Sequence, residues 1–115
     1  SLIIDTQLTG GVAPNSIMFR GTRPAPTTVK FQFASATSTS GPWDATAFKA
    51  WNPSTNSCDS NSYYPGTGSA EPNQPIEIKA LCHLNHRYIR YKAILETTDT
   101  SFTPQIDDII LNYAK

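Results

Sequence analysis

Neither sign of charge predominates in this chain: nine Lys and Arg side chains balance nine Asp and Glu, for a formal net charge of zero. A phosphate backbone is held by clustered, uncompensated cations, so the balance argues against a nucleic-acid partner and equally against a polybasic membrane anchor. Long apolar runs are also missing. Stretches such as Ala93-Ile94-Leu95 and Ile109-Ile110-Leu111 stop at three residues, far short of the ~20 that a spanning helix needs, so no membrane insertion by this segment is expected. The chain opens Ser1-Leu2-Ile3, with neither a methionine nor a charged-then-apolar leader, which reads as a mature or excised piece, with any targeting segment expected upstream. A helical hydrophobic period is absent as well.

Cysteine is scarce, and its placement is informative. Cys58 lies in the polar run Asn56-Ser57-Cys58-Asp59-Ser60-Asn61, whereas Cys82 follows a strand-like segment. A free thiol in a solvated loop is a liability, so a Cys58–Cys82 disulfide is the natural reading, against two unrelated free thiols. Such a bond stabilises the fold by about 3 kcal/mol in the chain-entropy model and places the domain outside the cytoplasm.

What the chain does have is alternation. At 115 residues it is long enough to bury a core as one domain, residues 1–115, and it shows neither an internal repeat nor a shift in composition. Residues 28–34 set Val29, Phe31 and Phe33 on one face and Lys30 and Gln32 on the other. Residues 87–95 set Ile89, Tyr91, Ala93 and Leu95 opposite Tyr88, Arg90, Lys92 and Ile94. Residues 105–113 group Ile109, Leu111 and Tyr113; Ile106 falls out of phase, which predicts a bulge near Asp107-Asp108. Shorter strands are expected at 2–5, 16–20 and 76–81, while 45–51 reads as a strand or a lone helical turn. Nine prolines and six glycines punctuate these runs. Residues 23–26, with two prolines, cannot sit in a central strand, and the Ser/Thr-rich 35–42 ends in the breaker Gly41-Pro42. The stretch 52–74 is the longest irregular one, and Cys58 and the tyrosines within it are expected to pin it down. About seven short strands with such turns predict an all-β, single antiparallel β-sandwich, jelly-roll or immunoglobulin-like.

Several groups invite a chemical reading. Cys82-His83-Leu84-Asn85-His86 offers at most three zinc ligands and loses the thiolate if Cys82 pairs with Cys58, so two turn histidines are expected instead. No Gly-x-Ser-x-Gly elbow occurs, and no enzymatic activity is expected. Asp107 and Asp108, with Asp99 and Asp5 as neighbours, are candidate ligands of a structural calcium; yet adjacent strand carboxylates point to opposite faces unless a bulge intervenes. Otherwise no cofactor is implied. Trp43, Trp51, Tyr63 and Tyr64 gather in and around the long loop. Exposed rings stack on sugars while nearby Asn and Asp bond hydroxyls, so a surface glycan would be held here; the competing reading makes Trp43 core and sets the tyrosines under the loop. Tyr88, Arg90 and Lys92 read as a half-solvated cross-strand ladder.

The close of the chain, Arg87-Tyr88-Ile89-Arg90-Tyr91-Lys92-Ala93-Ile94-Leu95-Glu96-Thr97-Thr98-Asp99 and then Thr103-Pro104-Gln105-Ile106-Asp107-Asp108-Ile109, resembles that of bacterial surface β-sandwich modules. Asn15-Ser16-Ile17-Met18-Phe19-Arg20-Gly21-Thr22, Val29-Lys30-Phe31-Gln32-Phe33-Ala34 and Ser40-Gly41-Pro42-Trp43 extend the likeness. Such modules are similar to the C-terminal domains of type IV pilin-like and other cell-surface proteins. The resemblance implies an extracellular, surface- or filament-displayed domain making adhesive or subunit contacts, with filament subunits as partners and a hydrophobic helix upstream. Where the family often follows the tryptophan with Gly-Pro-Asp-Gly, this chain has Asp44-Ala45-Thr46-Ala47 and a long Cys-bearing insertion. Loops carry specificity on a rigid scaffold, so the insertion is where a specialised function is expected. A purely structural spacer is the other reading.

Overall fold

Alternation along β3 (Thr27–Ala36) organises the molecule, because Val29, Phe31 and Phe33 are fully buried on one of its faces. The computed structural model describes residues 3–115, so Leu2 of the first expected strand lies outside the described residues. The other strands are β1 (Ile4–Asp5), β2 (Ala13–Thr22), β4 (Ala50–Asn52), β5 (Ser57–Asp59), β6 (Ile76–Glu77), β7 (Tyr88–Thr97) and β8 (Gln105–Ala114), with a 3-10 turn at Ala80–Cys82. No α-helix occurs among the described residues, and none is long and apolar enough to cross a membrane. The protein is all-β, and its ladders are antiparallel.

One three-stranded sheet runs β1-β7-β3, the second runs β6-β2-β8, and β4 and β5 form a separate hairpin. β3 and β7 pair along their whole length, from Thr27 opposite Thr97 to Ala36 opposite Tyr88. β2 and β8 pair from Ala13 opposite Ala114 to Thr22 opposite Gln105. Their register slips where Arg20 faces Asp108 but Gly21 faces Ile106, leaving Asp107 as the extra residue of the bulge that Ile106 foreshadowed. A side chain at Gly21 would collide there with the Gln105 carbonyl.

Side chains of both three-stranded sheets meet in one core. The Phe19 and Phe31 rings lie 6.3 Å apart at a tilt of 54°, joined by Val12, Ile17, Val29, Phe33 and Ile89. Ile106, Ile109 and Leu111 of β8 pack against this cluster, as do Tyr91 and Ala93 of β7. The expected inner face fades at its ends. Leu95 remains 47% exposed, because β1 flanks β7 only at Tyr88 and Ile89 and the sheet is a strand narrower beside Leu95 among the described residues; Tyr113, near the end of β8, is 37% exposed.

Two expectations need correction. Gln32, assigned to the wet face of β3, is buried; its Nε2 donates to the carbonyls of Ser60 and Ser62, each at 2.8 Å, because the long loop folds across it. The expected strand 76–81 lasts only through Glu77. Ile78 still donates to Asn15 O at 2.9 Å, but the Cys82 amide then turns back to Lys79 O at 3.1 Å.

The stretch 52–74 is well ordered by its neighbours. The outer edge of β3 bonds Lys49 through Phe33 (3.1 and 2.9 Å), Tyr64 through Phe31 (both 2.8 Å) and the Ala70 amide through Val29 O (2.8 Å). Within that border the β4–β5 hairpin sets Trp51 opposite Cys58, and a turn at 44–47 precedes it, closed by the Ala47 amide on Asp44 O. Cys58 and Cys82 form the expected disulfide, with Cα atoms 5.6 Å apart.

Candidate functional site

Trp51 reaches the surface from β4, half-buried, and its position is fixed by the strand partner Cys58 and by the disulfide behind it. Tyr63 and Tyr64 follow a turn organised by Asp59. That carboxylate accepts from the Asn61 amide (2.9 Å), Asn52 Nδ2 (3.2 Å) and Ser62 Oγ (3.1 Å). The same hydrogen bonds, led by the Asn61 amide, hold the Asp59 carboxyl below the usual carboxylate range.

Two adjoining clefts open here, of about 250 and 380 Å³, and Trp51, Pro53, Tyr63 and Gly66 line both. The first is completed by Tyr64, Glu77 and Lys79. The second is completed by polar groups that include Asn52, Asn61, Ser62 and Thr67. Lys79 Nζ lies 4.9 Å from the Trp51 ring centroid, and Lys30 Nζ lies 5.6 Å from that of Tyr63. Each ring therefore already carries a cation on one face. Two aromatic walls, a carboxylate, an ammonium and several amides and hydroxyls can together hold a polyhydroxylated ring.

Tyr64 has another role. It is buried beneath the first cleft, its hydroxyl 3.2 Å from His83 Nε2, and burial raises its pKa. His83 is itself enclosed, edge-on to Phe33 at 5.7 Å, so the expected turn histidine belongs to the interior. His86 Nδ1 pairs with Ser35 Oγ at 2.6 Å, away from both clefts.

Trp43 lines neither cleft and is not part of the core cluster. Its indole Nε1 donates to Thr39 O at 2.9 Å, and the Arg90 guanidinium sits 5.6 Å from its ring. With Phe48, which also meets Arg90 (5.9 Å) and Lys92 (5.4 Å), it covers part of the outer ladder of β7. Of the four aromatics singled out in the sequence, the structure brings together Trp51, Tyr63 and Tyr64. Sequence reasoning missed Glu77 and Lys79. Their signal was the alternation of buried Ile78 and half-buried Ile76 with exposed Glu77 and Lys79.

The acids named for calcium are spread along the fold. Asp107 accepts from Gln105 Nε2 at 2.7 Å, Asp108 stands opposite Arg20, Asp5 holds Arg87 through two bonds of 2.7 and 3.0 Å, and Asp99 caps a turn. Among the described residues no three His, Cys, Asp or Glu side chains gather around a common point.

Comparison of the chain with protein-family models, with curated proteins and with solved structures finds no match.

Proposed function

We propose that this chain is a non-catalytic extracellular module, a β-sandwich of jelly-roll or immunoglobulin-like type displayed on a bacterial surface or pilin-like filament, and that its adhesive contact is with carbohydrate. The observation that carries the reading is the sharing of Trp51 and Tyr63 by two contiguous clefts, the first bordered by Glu77 and Lys79 and the second by Asn52, Asn61 and Ser62. Flat rings offer rigid apolar area to the C–H face of a sugar, and the fixed amides and hydroxyls match its hydroxyl groups. The disulfide supports an oxidising compartment. The resemblance carried by residues 87–99 and 103–109, and by the motifs within 15–43, supports the surface-displayed, filament-associated context.

A glycan array followed by titration tests this. Trp51→Ala weakens binding by about 30-fold, the loss of one central aromatic anchor at ~2 kcal/mol. Because Trp51 also packs against the core, Tyr63→Ala serves as the second variant, with far-UV circular dichroism as the check on folding. An array with no binder, together with docking of the domain onto filaments, favours the spacer or subunit-contact reading instead.

A further inference from the structure

The two long strands that border the sheets are treated differently. β3 has its outer edge covered by Lys49, Tyr64 and Ala70. β8 has β2 on one side and, among the described residues, no strand on the other. Unpaired amides and carbonyls on an edge strand are a template for a further strand. The first part of β8 is guarded by the bulge and by Asp107 and Asp108. Residues 109–114 contain neither a charge nor a proline, and Ile110 and Tyr113 are 39% and 37% exposed.

The charge pattern of this edge identifies its occupant. Asp107 and Asp108 stand at one end, the apolar Ile109-Ile110-Leu111 in the middle, and Lys115 at the other end. Such an order complements itself when reversed. We propose that a second copy of this chain pairs with it, β8 antiparallel to β8 about a two-fold axis through Leu111. That register puts each Asp107 opposite the partner copy's Lys115 and each Ile109 opposite a Tyr113, and it keeps inner and outer faces continuous. The result is one six-stranded sheet, β6-β2-β8 joined to its symmetry mate, in which the isologous contact uses up the β8 edge of both copies. The clefts at Trp51 take no part in the contact, so the dimer presents two of them.

Sedimentation equilibrium across a wide concentration range tests the pairing. The expected result is a reversible monomer–dimer equilibrium with a mass that doubles. Ile110→Lys leaves a monomer at every concentration with an unchanged circular dichroism spectrum. Lys115→Glu, at an exposed position outside the strands, raises the dissociation constant about fivefold by removing two surface ion pairs. Asp107→Lys combined with Lys115→Asp restores it. A wild-type chain that stays monomeric throughout overturns the proposal, and so does a dimer indifferent to both Ile110→Lys and Lys115→Glu.

Discussion

His83 is an ionisable ring in a place with almost no water, 2% exposed and wedged against Phe33 and Tyr64. Burial, reinforced by the positive charges of His86 and Lys49, lowers its pKa from 6.5 to about 4. The unfolded chain takes up a proton near pH 6.5 that the folded protein refuses until about pH 4. The contribution of His83 to stability is therefore complete above pH 6.5, declines as pH falls across that window, and levels off below it. A gap of that size corresponds to roughly 3 kcal/mol at ~1.4 kcal/mol per unit. Asp5 and Asp59, both held below 3.8, keep their charge through most of the window and add to the decline only beneath it. Urea denaturation at a series of pH values will show this slope, and His83→Gln, which cannot titrate, will remove it. A wild-type curve that is flat between pH 7 and 4.5 would contradict the assignment of His83 as a buried neutral base.

At the scale of elements, the disulfide does more than close a loop. Cys58 is the strand partner of Trp51, and Cys82 lies one turn beyond Lys79, so the bond ties together two walls of the first cleft. Replacing both cysteines with serine will lower stability by about 3 kcal/mol, measured by chemical denaturation. It will also weaken any glycan binding in the fraction that remains folded, because a preorganised cleft becomes a mobile one. The strands themselves were legible to different degrees. β3, β7 and the bulge of β8 could be read directly, since period-two alternation is a local signal written in Val29, Phe31, Phe33, Ile89 and Ile109. The β4–β5 hairpin could not. Residues 52–57 are Asn, Pro, Ser, Thr, Asn and Ser, with no alternation to read, and the order of the hairpin comes from partners distant in sequence, namely the edge of β3 and Cys82. The same non-local cause buried Gln32 and ended β6 early, where the side-chain pattern at Ile78 continued after the ladder had stopped.

At the scale of the whole molecule, Phe19 from one sheet and Phe31 from the other occupy the same cluster, so neither sheet has a core of its own. Unfolding is expected to be a single transition, with far-UV dichroism and tryptophan fluorescence coinciding. Phe19→Ala will shift both probes together by about 3–5 kcal/mol. Divergent transitions would mean that the sheets melt separately. The site was only partly legible at this scale. Trp51 and Tyr63 stood out as aromatics in a polar loop, but nothing local distinguished them from Trp43, which the chain path carries to the outer face of β7. Glu77 and Lys79 join the cleft through non-local ties, the ladder of β6 with β2 and the disulfide at Cys82.

The tip of that hairpin, residues 53–56, is exposed throughout and contributes nothing to the shared core. Yet Pro53 borders both clefts and Ser54 one of them. Substitutions at Pro53, Ser54 and Thr55 therefore cost the core little, and those at Pro53 and Ser54 change the lining of the clefts, whereas Asn56, at φ 51°, is held by its left-handed backbone. Variation in the shape of this surface is thus insulated from the packing that folds the remaining strands.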